Sequence, residues 1–531
     1  MKHIIRAAAA LSLAAALALG MTGCGHHSNS FTWQVQAVPD NLDPQLAASS
    51  ANRIAVTHLY SGLYRLGPDG QPQPDCAQAC DISADGLTYT FYLKEGLAYK
   101  TTKGKSTDYA VTAEDFVFGL QRVFLPQTKS PYAAELSNIR GSQAVLAGSD
   151  PDQLAVRALD DLTLEIRLVS PDDEFLRKLC LPGAMPCDRE FFQSSGGSYG
   201  LSRGTTLSNG SFYLYSWTES GLFLRRTPQG SRVDNLRLVL PSQDDPGQDP
   251  QDLLPEQLVL GGKCSAALSD RTLADLDARE LNQLPYTATT WGLLFRCDSK
   301  EFSNRDLRAA LAQTARQASL THAPKCTPAS GLLPPAMNAL PSEFPTLGDP
   351  QQLFRQGLEE TGLSSLTGLT VLVPAGASQM FAPLNQEWQR QLQVFFNLKE
   401  VPLTTLRSLV SGELTAAEQA SLEKKHGRWV MALIPLESPS ADPARFLAQF
   451  DDRLGNWQNE AFHAQLDDAF QLPGGPARQQ AIARAEQMLM QECVAVPLFY
   501  QDKALLVEPG VQDLVFDPFG PLLDLTFASL K

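Results

Sequence analysis

Alternating apolar and polar positions mark the strands of this chain. After a turn at Asp85-Gly86, Leu87, Tyr89, Phe91 and Leu93 alternate with Thr88, Thr90 and Tyr92. Leu162, Leu164, Ile166 and Leu168 do the same after Asp160-Asp161. Residues 31–38 read as a strand that stops at Pro39, and 211–217 with 221–226 read as a hairpin. Helical spacing begins where Thr112 caps a stretch with Asp115 three residues on. Its apolar stripe is Phe116, Val117, Leu120, Val123 and Phe124. A second helix is predicted over 54–63, and the Pro- and Asp-rich stretch 241–255 reads as a surface loop. From about residue 290 the pattern turns to helices, at 304–319, 351–361, 380–396, 460–470 and 477–491. Strand-like runs at 369–373, 429–433, 494–500 and 504–507 are interspersed with them. Strands and helices mixed in this way predict an α/β fold.

Length and charge narrow the picture. A chain of 531 residues is long enough for two or three domains. The net charge of −15 argues against nucleic-acid binding, which requires basic stripes. The start of the chain stands apart. Lys2 and Arg6 precede an apolar stretch at 7–19, then Gly20-Met21-Thr22-Gly23 lead into Cys24. This is the pattern of a secretory signal, and its core is shorter than the about 20 apolar residues of a membrane span. Small residues directly before a cysteine resemble a bacterial lipobox, with Met21 where Leu is usual. That resemblance implies lipid on Cys24 and a mature chain held at the extracytoplasmic face of a membrane. Loss of residues 1–23 would take the net charge to −17. Gly25-His26-His27-Ser28-Asn29-Ser30 would then be a polar tether.

Eight further cysteines, Cys76, Cys80, Cys180, Cys187, Cys264, Cys297, Cys326 and Cys493, are an even number in an exported chain and suggest disulfides. Cys76/Cys80 and Cys180/Cys187 are close enough in sequence to close small loops. Pairing Cys264 with Cys297 and Cys326 with Cys493 would then be mere arithmetic by elimination among the 105 connectivities that eight cysteines allow, with free buried thiols as the alternative. Cys76-Ala-Gln-Ala-Cys80 lacks a second Cys or His pair at zinc-site spacing, so no metal is expected there. Gly196-Gly-Ser-Tyr-Gly200 fits the Gly-x-Ser-x-Gly pattern of a serine hydrolase with Ser198 as nucleophile. That chemistry needs a buried strand before the serine and a helix after it, whereas 188–194 is polar and helix-like. No His-Glu-x-x-His site is present. Gly104-Lys105-Ser106 has Tyr99 where a phosphate loop has its first glycine. His58, His322, His426 and His463 are the histidines left as possible bases, and His58 falls on a helix face where core packing is the default.

A series of collinear motifs resembles the substrate-binding proteins of bacterial ABC importers, solute-binding family 5, in particular the oligopeptide branch. The series comprises Asn41-Leu-Asp-Pro44, Tyr60-Ser-Gly-Leu63, the stretch from Asp85 to Lys94, Val111-Thr-Ala-Glu-Asp-Phe-Val-Phe118, Gln121-Arg122 and Ser130-Pro-Tyr-Ala133. It continues with Ser208-Asn-Gly-Ser-Phe212, Asp442-Pro443 with Phe446-Leu447, and Val496-Pro-Leu498. The resemblance implies two hinged lobes like a periplasmic binding protein, with an additional domain inserted in the first. On this chain the base lobe would be 31–66, 199–285 and 503–531. The insert would be 67–198 and the second lobe 290–500, with the hinge near 285–291 and 499–503. It implies peptide capture through main-chain groups, with Ala48, Ser49, Ser50 and Tyr132 on one side and Trp291, Gly292 and Leu293 on the other. Oligopeptide receptors carry a Trp-x-x-Asp-Tyr motif whose Asp pairs with the ligand's ammonium. Here the stretch contains Leu436 and Glu437 instead, so Glu437 is the candidate partner. The resemblance also implies a monomeric, non-enzymatic receptor without cofactor that delivers its ligand to an ABC permease and its ATPase subunits. Relatives of this fold also take nickel complexes, haem or oligosaccharides.

Overall fold

Two long antiparallel strands, Asn282–Phe295 and Ala495–Val507, cross the molecule side by side and tie its halves together. In the computed structural model the described residues are 29–100, 102–241, 253–270, 280–318, 326–366, 368–438, 440–451, 453–472 and 475–531. The expected signal, Cys24 and the His26-His27 tether lie outside them. Among the described residues the two long strands belong to one sheet of eleven strands. At one end they join Ala266–Ser269, and beyond it Ser30–Gln34, Asn235–Val239 and the hairpin Phe212–Thr218/Gly221–Arg226. At the other end they join Met431–Leu436, Thr370–Pro374 and Asn397–Val401. Parallel pairs at each end show that both halves are α/β units. The register of the long pair slips between Tyr286 and Thr289, a bulge that bends the ribbon between the halves.

Three main hydrophobic cores fill the molecule. The base core packs Phe31, Ile54, Phe212 and Leu236 against Leu505 and Leu523. The second core spans Trp291 to Phe499. The third, with Phe91, Phe116, Phe124 and Leu164, lies under the four-stranded sheet that contains Ala77–Ile82, Thr88–Leu93, Thr163–Arg167 and Val156–Asp160.

Local chemistry explains most of the elements. In Thr88–Leu93 the residues Tyr89, Phe91 and Leu93 are buried, while Thr88, Thr90 and Tyr92 are only partly covered. The helix Ala113–Phe124 starts where the Thr112 N–H donates to the Asp115 carboxylate at 2.9 Å. Asn304 caps Arg305–Gln317 by accepting from the Leu307 N–H. The helix predicted over 54–63 is instead Ser50–Leu59. Ser49 caps it, accepting from the Asn52 N–H at 3.1 Å, and the extended Tyr60 ends it. The runs at 494–500 and 504–507 are a single strand.

The disulfides expected by counting are not formed; all eight cysteines are free thiols. Cys264 sits in a small cluster with Val259 and Leu506, whereas Cys297 and Cys493 are both in the second core, so elimination proposed the wrong neighbours. Burial pushes the thiols of Cys80, Cys180, Cys187, Cys264 and Cys493 up to about 12.

Candidate functional site

The motif residues build the wall of a cleft before any of them reaches into it. Asp43, from Asn41-Leu-Asp-Pro44, is an N-cap that accepts from the Gln45 N–H at 3.1 Å. Arg122 clamps the same carboxylate through both terminal nitrogens and reaches Gln45 Oε1 at 2.6 Å. Both charges are almost fully buried, which is tolerable only because they are paired and hydrogen-bonded. Ser130 adds a bond to the Gln45 carbonyl at 2.7 Å, and the Tyr132 hydroxyl donates to the Ala47 carbonyl. The loop 43–48 of the base is thus bolted to the insert. Gly183 lets Tyr132 lie flat, since a Cβ there would come within 2.5 Å of that side chain.

Between the base, the insert and the second half lies a cavity of about 1460 Å³. The base contributes Ala47, Ala48, Arg53 and the turn Phe516–Pro521, and Tyr286 stands edge-on to Phe516 at 5.0 Å. Tyr132, Glu135, Arg177 and Lys178 come from the insert. The far wall carries the loop 336–340 together with Asp442, Arg445 and Arg478.

Charges on this lining are mostly neutralised in place. Arg177 meets Asp517 at 2.6 Å, and Lys178 meets Asp172 at 2.6 Å. Arg478 grips both oxygens of Asp442 at 2.9 and 2.8 Å, and Asp442 also caps Pro443–Ala448. Arg445 reaches from the far wall to the opposite one, pairing with Glu135 at 3.2 Å and donating to the Ala134 carbonyl. Burial pushes the Tyr132 phenol up, so it stays protonated.

Of the residues expected from sequence, Ala48 and Tyr132 line the cavity and the others do not. Ser49 is spent on its helix cap, and Ser50, the first helical residue, is exposed. Trp291 is a core residue. It stacks on Phe499 at 5.8 Å, lies 5.6 Å from Phe381, and donates its indole N–H to Gln501 at 2.9 Å. Gly292 is enclosed, because a Cβ would come 3.1 Å from Leu436 and 3.2 Å from the Val496 carbonyl. Leu293 and Leu436 are buried. Glu437 already has partners: Lys503 at 3.2 Å, the Thr289 hydroxyl at 2.8 Å, and Arg407. Its charge is satisfied without any ligand.

Sequence reasoning missed Arg53, Arg177, Arg445, Arg478 and the 516–521 turn. These converge from segments hundreds of residues apart, and no local pattern announces them.

The competing sites dissolve on inspection. Ser198 follows the helix Arg189–Ser194 rather than a strand, and its hydroxyl donates to the Ser195 carbonyl at 2.6 Å, so this is no nucleophile elbow. His58 is a core residue: the Leu525 N–H donates to Nε2 at 3.0 Å, which leaves the proton on Nδ1 facing the Ile54 carbonyl. Among the described residues no group of three or more His, Cys, Asp or Glu could hold a metal ion. No helix among them is long and apolar enough to cross a membrane.

Comparison with known proteins agrees with this architecture. The oligopeptide-binding protein OppA of Bacillus subtilis is 23% identical over 521 residues, covering 91% of each chain. The Escherichia coli protein named "Probable deoxycholate-binding periplasmic protein YgiS" is 25% identical over 507 residues, covering 91% of this chain and 90% of that protein. Listeria monocytogenes OppA bound to peptide superimposes with a TM-score of 0.68 at 20% identity, covering 95% of this chain and 99% of that one. The description "Bacterial extracellular solute-binding proteins, family 5 Middle" matches residues 71–456, which is most of the chain. With its two lobes, inserted layer and interlobe cavity, the chain belongs to the family 5 bacterial extracellular solute-binding proteins.

Proposed function

We propose that this chain is the ligand-capturing receptor of an ABC importer, that its cargo is peptide, and that lipid on Cys24 tethers it to the membrane. The observation that carries the reading is the interlobe cavity of about 1460 Å³, larger than the roughly 300–1,000 Å³ of common small-molecule pockets. It has room for a short extended chain and bridging water. Named relatives that bind oligopeptides support the choice of cargo. The walls belong to different lobes, so a ligand that touches both favours the closed arrangement by its differential affinity. The long-strand ribbon, bulged between Tyr286 and Thr289, is where rotation would concentrate. Energy for transfer would come from the importer's ATPase subunits, and the ligand would leave unaltered.

The test is native mass spectrometry of protein produced from Ser28 onward, followed by calorimetric titration with peptides of two to eight residues. Co-purifying peptides and micromolar or tighter binding support the reading. A co-purifying sterol acid, metal complex or sugar in place of peptide would replace the cargo and keep the receptor. For the anchor, Cys24→Ala should release the protein from the membrane fraction.

A further inference from the structure

The lining of the cavity carries five cations: Arg53, Arg177, Lys178, Arg445 and Arg478. Four are matched to carboxylates, namely Asp517, Asp172, Glu135 and Asp442 respectively. Arg53 is not. Its Nη1 donates to the carbonyls of Gly520 at 2.9 Å and Phe519 at 3.4 Å. Its Nε is buried without a hydrogen-bond partner, and no carboxylate meets the guanidinium among the described residues. Arg53 therefore holds a full positive charge, pinned by backbone carbonyls, on the wall of a cavity in a chain of net charge −15. The two lining carboxylates without a cation, Asp173 and Glu174, are exposed and hydrated, so they do not demand a partner. The carboxylate that could have met a ligand's ammonium, Glu437, is already neutralised by Lys503 and Arg407.

We infer that Arg53 binds the carboxylate of the ligand, so that this receptor selects its cargo by an anionic end rather than by an ammonium. The inference rests on the receptor reading above and adds the chemical class of the cargo's anchor. The guanidinium is positioned in advance. Nη1 fixes it against the 519–520 turn, which leaves Nη2 for a carboxylate, with little side-chain entropy lost on binding. Tyr132 and the aromatic pair Tyr286–Phe516 offer apolar surface to whatever follows the anion.

The experiment compares two pools of random tetrapeptides on the unaltered mature protein, one with free C-terminal acids and one with C-terminal amides. Deoxycholate serves as a carboxylate that is not a peptide. The expected result is at least tenfold tighter binding of the acid pool. Arg53→Gln should remove that preference by weakening the acid pool to the level of the amides, and Arg53→Lys should keep part of it. Equal binding of acids and amides to the unaltered protein overturns the role of Arg53 and leaves peptide capture standing. Binding of deoxycholate that is lost in Arg53→Gln, with neither peptide pool binding, upholds Arg53 and overturns the peptide reading. An acid preference that survives Arg53→Gln places the anchor elsewhere and sinks the inference.

Discussion

Lys503 Nζ lies 3.2 Å from Glu437 Oε1, joining the strand that leaves the second lobe to the loop after Met431–Leu436. The Thr289 hydroxyl donates to the same oxygen at 2.8 Å, just past the bulge, so the carboxylate bridges both crossing strands. Glu437 thus ties the two long strands to each other.

Its titration has a definite sign. Burial works against the charge of Glu437, but Lys503, the Thr289 hydroxyl and Arg407 outweigh it and hold the carboxyl below the usual glutamate range. A group depressed in the folded state adds stability above its ordinary value of about 4.3, and loses it as pH falls through the folded value. Glu437→Gln should lower the melting temperature at pH 7, and the gap from the parent should close below about pH 4. The size is about 1 kcal/mol or less, because the side chain is a third exposed. Ligand affinity measured by calorimetry at pH 7 should change less than tenfold. A larger loss would restore Glu437 as the ligand's anchor.

Trp291→Ala separates a core role from a binding role. Removing an indole stacked on Phe499 and packed at a tilt against Phe381 should cost about 3–5 kcal/mol in urea unfolding. Affinity for any peptide that binds the parent should stay within threefold while the protein is folded. Lost affinity with intact stability would put Trp291 in the site.

The contrast between Trp291 and Arg53 shows what the sequence could and could not yield. Strand Thr88–Leu93 and helix Ala113–Phe124 were legible because alternation, capping and an apolar stripe are local signals. The α/β class follows from the order of such signals. The motif residues were visible too, but Asp43, Arg122 and Tyr132 join base to insert, so a recognisable motif did not identify a ligand contact in each case. The cavity lining depends on pairings such as Arg177 with Asp517, 340 positions apart, which no periodicity encodes. Cysteine counting failed for the same reason: parity says nothing about which core each thiol enters. Glu437 looked free because its neutralising partners, Arg407 and Lys503, are 30 and 66 positions away.

Arg65 and Asp524 form an almost fully enclosed ion pair that ties the C-terminal segment to the base. Arg65 Nη1 meets Asp524 at 2.7 Å, Nε meets Asp75 at 3.0 Å, and Nη2 donates to the Tyr60 carbonyl at 2.8 Å. Breaking one side leaves a buried guanidinium short of a countercharge. Asp524→Asn should therefore cost about 3 kcal/mol by urea unfolding. Arg65→Met combined with Asp524→Leu should cost less than the sum of the single changes, because no charge is then stranded. Strict additivity would mean that the two side chains do not act as a pair.

Glu486, on the helix Pro476–Gln491, holds the loop that forms part of the cleft's far wall. Its carboxylate accepts from the Leu332 N–H at 2.7 Å, the Leu333 N–H at 2.9 Å and the Ser342 hydroxyl, and it is almost fully buried. Residues 336–340 of that loop line the cavity. Burial raises the carboxyl above the usual glutamate range despite the three donors. A raised acid is costly to ionise in the folded state, so stability falls as pH climbs through the folded value, and the full cost is present above it. Glu486→Gln keeps an oxygen for the two amides and offers its own N–H to Ser342. It should stay within about 1 kcal/mol of the parent and gain on it as pH rises from 5 to 8. Glu486→Ala strands two amides and a hydroxyl, so it should lose about 3 kcal/mol and weaken peptide binding as the 331–342 loop comes free. Urea midpoints at pH 5 and pH 8 decide the matter. A constant gap between the parent and the Gln variant would show that the carboxyl does not titrate in that range, and unchanged binding in the Ala variant would show that the cleft does not depend on this loop.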